Sequence, residues 1–87
     1  MIKIIGLAVA GNQTLDLSFS DGSAARWDAR DILARDTVMT QPLTDLAYFA
    51  RAFIESGALA WPNGLEFSGE ALHRKLAISG ALVRQAA

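Results

Sequence analysis

The stretch Ala58-Leu59-Ala60-Trp61-Pro62-Asn63-Gly64-Leu65-Glu66-Phe67 decides how this chain is read. It comprises an apolar strand ending in Trp61, a turn made by Pro62, Asn63 and Gly64, and a second short apolar run. Proline fixes φ, while asparagine and glycine tolerate left-handed backbone, so the three residues reverse the chain at little steric cost. Gly64 is therefore expected at positive φ. An indole buries a large area provided its N–H finds an acceptor, which makes Trp61 the expected anchor of the turn. Glu66 is placed to bond back to the turn's amides.

Upstream, Ile2 to Val9 is rich in β-branched residues and carries apolar side chains at both parities, the pattern of a strand covered on both faces or packed in mid-sheet. Gly11-Asn12 supplies a turn. From Thr14 to Ser20 the chain alternates, with Leu15, Leu17 and Phe19 facing one way and Asp16, Ser18 and Ser20 the other. Asp21-Gly22 is a hairpin signal that favours positive φ at both central residues, and Ser23 to Asp28 follows as a third strand with Ala25 and Trp27 facing the core. These strands form an antiparallel meander. Asp28 to Arg35 has the composition of a short helical turn capped by Asp28. Thr44 caps a predicted helix through about Ile54, with Leu46, Ala47, Ala50, Phe53 and Ile54 as its apolar stripe. Gly57 ends that helix, and Ala58 to Trp61 returns as a fourth strand.

Ser68 caps a predicted final helix over about residues 69–84, in which Leu72, Leu76 and Val83 fall near one face and Gly80 lowers helix propensity. The expected fold is α+β: an antiparallel sheet of three to four strands, a meander plus a returning strand, packed with two helices in a single domain over residues 1–87. Hydrophobic residues are 52% of the 87 and charged residues 20%, a rich apolar share for so small a domain. With a sheet edge left open, that share predicts a homo-oligomer using the last helix, the edge or both.

A net charge of −1 without a like-charge block argues against a nucleic-acid footprint, and the lack of cysteine removes thiolate nucleophiles, disulfides and zinc-thiolate sites. The apolar start, Met1 to Gly11, is too short and too β-branched for a signal peptide, and no apolar run approaches the ~20 residues that span a bilayer, so a cytoplasmic location is expected. His73, the single histidine, reads as a solvated helix residue with no carboxylate placed beside it by spacing. Asp28 and Asp31 read as capping residues, and Arg74, Lys75 and Arg84 as a solvated face. Trp27, Trp61, Tyr48 and Phe49 read first as packing rather than as a stacking surface for bases. No catalytic, metal or cofactor site is expected. An enzyme is disfavoured because no nucleophile or acid-base pair converges, and a nucleic-acid-associated accessory protein is the alternative that charge weakens.

Taken together, Phe19-Ser20-Asp21-Gly22, the Pro42-Leu43 segment with Phe49, and Trp61-Pro62-Asn63-Gly64 followed by Glu66 resemble the bacterial domain-of-unknown-function family 2442 across nearly the whole chain. The chain has Glu66 where that family usually has aspartate, and Ser68 or Gly69 where it often has proline. The resemblance implies a small protein-binding module without catalysis, an antitoxin-like partner in a toxin-antitoxin pair encoded by adjacent genes. Trp61, Pro62, Asn63, Gly64, Glu66, Leu72, Leu76 and Val83 are the candidate structural or partner-contact residues.

Overall fold

In the computed structural model, which describes residues 1–84, the meander forms first: β1 (Ile4–Gly11), β2 (Thr14–Phe19) and β3 (Ser23–Asp28) pair antiparallel in sequence order. Leu15, Leu17 and Phe19 are buried together with Ala25 and Trp27, as the alternation requires, while Asp16 and Arg26 pair across the outer face through two hydrogen bonds of 2.8 and 3.2 Å. The apolar residues at both parities of the first strand have a different cause from double-sided burial. A register shift between Ile4 and Gly6 inserts one residue, so that Ile4 opposite Phe19 and Leu7 opposite Leu17 both face inward although they are three apart. Ile5 and Val9 stay largely exposed.

After α1 (Arg30–Leu33), the predicted helix from Thr44 to Ile54 is replaced by three shorter elements. They are a 3-10 turn at Gln41–Thr44, α2 (Leu46–Phe49) capped by the Asp45 carboxylate on the Ala47 N–H, and β4 (Phe53–Glu55). Ser56 and Gly57, at φ +51 and +82, form a two-residue hairpin into β5 (Ala58–Ala60). Gly57 is thus left-handed as expected, but in a hairpin rather than behind a helix. Ala58 to Trp61 does not return to the first sheet. β5 is the centre of a second antiparallel sheet, flanked by β4 and β6 (Glu66–Phe67), and all three of its residues are buried.

The final helix, α3 (Gly69–Ile78), starts at Ser68, whose hydroxyl accepts the Ala71 N–H. It stops six residues short of the predicted end. Gly80 sits at φ +76, its N–H bonds to the Ala77 carbonyl, and the Ala81 N–H bonds to that of Leu76, the paired closure of a Schellman motif. The chain then turns back as β7 (Val83–Arg84) alongside β3, completing the order β1-β2-β3-β7. The returning strand of the fold is therefore β7. The protein is α+β, a four-stranded antiparallel sheet and a three-stranded one around a shared core that Leu72 and Leu76 of α3 close. No helix of the described residues is long and apolar enough to cross a membrane.

Candidate interaction surface

The Trp61 turn is a structural anchor. Trp61 is 1% exposed and donates its indole N–H to the Phe49 carbonyl at 3.0 Å, within a ring cluster completed by Trp27, Phe49 and Phe67. The Gly64 N–H closes on the Trp61 carbonyl with Gly64 at φ +91. Asn63 fills the role assigned in sequence to Glu66: its Oδ1 accepts the Leu65 N–H, and its Nδ2 donates to the Met39 carbonyl, tying the turn to the preceding loop. Glu66 is exposed on β6, and Pro62 is exposed at the turn.

A second turn repeats the construction. In Phe19-Ser20-Asp21-Gly22 the Gly22 N–H bonds to the Phe19 carbonyl, the Asp21 carboxylate accepts the Ser23 N–H, and Gly22 is at φ +87. Only Gly22 is left-handed there, not both central residues, because this three-residue loop needs a single positive φ. The Asp21 carboxylate also accepts the Ser23 hydroxyl at 2.6 Å and faces His73 Nε2 at 2.8 Å. An ionised carboxylate only accepts, so Nε2 carries the proton in that bond. His73 is thus a docking residue, edge-on to the Phe19 ring at 5.1 Å, rather than a solvated one. The two hydrogen bonds from Ser23, with His73 adding to them against some desolvation, hold the Asp21 carboxyl down at about 2. Asp21 and His73 stand 52 residues apart, and no spacing rule links them.

The candidate residues on the last helix separate. Leu72 and Leu76, at 2% and 6% exposed, belong to the core, whereas Val83 is 62% exposed on β7. Leu72 and Leu76 therefore serve the core rather than an open helix face, although Ile78 at the end of α3 is 81% exposed. The sheet margins are open as well. Edge strands are usually kept short or charged so that their free N–H and C=O groups do not recruit another chain. β4 has three residues and ends in Glu55, β6 has two including Glu66, and β7 has two including Arg84. β1 differs from all of them. It runs eight residues without a charge or a proline, and it exposes Ile5 and Val9. At its start this edge meets the β4–β5 turn, where the Ile4 N–H donates to the Gly57 carbonyl at 2.9 Å.

A depression of about 470 Å³ on the outer face of the first sheet is lined by Ser18, Ala24, Ala81, Val83 and the paired Asp16 and Arg26. Its two charges are paired with each other. Among the described residues no three His, Asp or Glu side chains come together as a metal site would require. Comparison with protein-family models, with curated proteins and with solved structures found no match.

Proposed function

We propose that this chain is a small non-catalytic protein-interaction module that binds by strand addition at β1. In this reading it acts in the cytoplasm as the antitoxin-like partner of a protein encoded by an adjacent gene, as the resemblance of its turns and its Pro42-Leu43 segment implies. The observation that carries the proposal is the contrast among the edges: one long uncharged strand beside three short, charged ones. Main-chain hydrogen bonds along such an edge give affinity, and the alternate side chains give selectivity. Support also comes from the inward packing of Leu72 and Leu76, which α3 does not offer to a partner, and from the exposure of Ile5 and Val9 on β1.

Co-expression with the adjacent gene product, followed by affinity capture through a tag on this chain, tests the reading. Copurification in stoichiometric amount is expected, with loss on Val9→Lys and retention on Val83→Lys. Absence of the complex, or equal capture by both variants, would remove β1 from the function.

A further inference from the structure

Resting on β1 as the binding edge, we infer that in the free protein this edge pairs with β1 of a second copy, antiparallel, about a twofold axis at Leu7. The segment Ile5-Gly6-Leu7-Ala8-Val9 has the same size order in both directions, large and small side chains alternating about its centre. An antiparallel pairing centred on Leu7 sets Ile5 opposite Val9 of the other copy, Gly6 opposite Ala8, and Leu7 opposite itself. The two side chains left most exposed on the strand, at 64% and 52%, thereby become cross-strand neighbours.

Charge selects the same arrangement. Lys3 falls opposite Gly11 of the other copy, so neither lysine meets a like charge, whereas a parallel pairing in the same alignment would set Lys3 beside Lys3. The other edges lack this symmetry. Self-pairing of β4 about Ile54 would put Glu55 against Phe53, and self-pairing of β7 would put Arg84 against Val83. The regular part of β1 is also bounded. Its register with β2 shifts between Ile4 and Gly6 and again between Val9 and Gly11, leaving Gly6 to Val9 straight. Pairing about Leu7 runs from Ile5 to Val9, one residue beyond that window, and it uses the longest uncharged strand edge among the described residues. The product is a closed pair with one eight-stranded sheet, in the order β7-β3-β2-β1 followed by its mirror sequence, rather than a fibre.

Sedimentation equilibrium of the full chain across the micromolar range tests the pairing. The wild type is expected at twice its 9.3 kDa. Val9→Lys is expected to weaken dimerisation at least tenfold, and Val83→Lys to leave it unchanged. Because the register places residues 5 and 9 of different copies together, the double variant Ile5→Glu with Val9→Lys is expected to recover the dimer that each single change loses. A monomeric wild type at hundreds of micromolar, a dimer insensitive to Val9→Lys, or failure of the double variant to rescue would each overturn the inference. A monomer that still captures the adjacent gene product, and loses it on Val9→Lys, would overturn self-pairing while leaving the proposed function standing.

Discussion

Gly69→Ala sets two physical effects against each other, and the structure decides the sign. Gly69 is the first residue of α3, where alanine is the better helix former by about 0.4–1 kcal/mol, chiefly because replacing glycine lowers the entropy of the unfolded chain. On propensity alone the variant gains stability. A β-carbon at this position, however, would lie 2.8 Å from the Gly57 carbonyl oxygen, 2.9 Å from that of Ile2 and 3.1 Å from the Ile4 nitrogen. All three are backbone atoms, so no side chain can swing away. Two of them also form the 2.9 Å hydrogen bond that joins β1 to the β4–β5 turn. Relief demands a backbone shift of roughly half an ångström, an overpacking of the kind that costs about 1–3 kcal/mol, with weakening of that hydrogen bond adding about 1 kcal/mol. The net expectation is a loss of about 1–2 kcal/mol, which for a domain of this size lowers the thermal midpoint by roughly 5–15 °C. Thermal melts followed by far-ultraviolet circular dichroism give the answer. An unchanged or raised midpoint would refute the packing argument and show that α3 can back away from the two strands.

Trp61→Ala is expected to cost about 3–5 kcal/mol, since it empties a site 1% exposed and strands the Phe49 carbonyl; urea titration read through the remaining Trp27 measures it, and a loss under 1 kcal/mol would contradict the anchor role. Leu76→Glu should destabilise by about 3–5 kcal/mol by burying an unpaired charge, whereas Val83→Glu should stay within about 0.5 kcal/mol, and equal midpoints in denaturant for the two would reverse their assigned places. Acid unfolding reports Asp21. Its folded carboxyl sits at about 2 against an ordinary 3.8, so the folded state binds fewer protons than the unfolded one between those values. Its stabilisation is therefore complete above about pH 4 and is lost as pH falls toward 2; Asp21→Asn should flatten that decline in stability measured from pH 5 to 2, and a slope unchanged by the substitution would sink the assignment.

The meander was legible from sequence because alternation at Leu15, Leu17, Phe19, Ala25 and Trp27 has only one solution in a sheet with one wet face. Glycine signals were less decisive. Gly57 and Gly80 both sit at positive φ, but hairpins and helix ends share that requirement, so the residue alone does not say which of the two it makes. The apolar residues of 46–54 fitted a helical stripe, yet the Ser56-Gly57 hairpin lets Phe53 to Glu55 pair with buried β5, and tertiary pairing overrode the local pattern. Helical periodicity continues through Gly80 in the sequence and carries Val83 onto the helix face, whereas the chain turns at Gly80. The Asp21–His73 contact, in contrast, had no local signature; it exists only once α3 lies across the hairpin tip. The strand that carries the proposed interaction reads in sequence as one covered on both faces or packed in mid-sheet, because apolar residues at both parities do not distinguish that from an edge strand with a bulge.

The pairing of β7 with β3 has a consequence for the order in which the protein folds. Every other strand pair joins segments a few residues apart and can form early, whereas Val83 meets Ala24 across most of the chain for two residues of ladder. Closing a flexible loop of that length costs several kcal/mol of chain entropy, more than so short a ladder returns. β7 cannot therefore seek β3 on its own. Once Leu72, Leu76 and His73 have seated α3, only the residues after Ile78 remain to be ordered, and the Schellman turn at Gly80 aims them at the exposed side of β3. Pulsed hydrogen exchange during refolding should label the Ala24 and Val83 amides as the last protected, after those of α3. Protection of β7 ahead of the helix would mean that the sheet, not α3, guides the return.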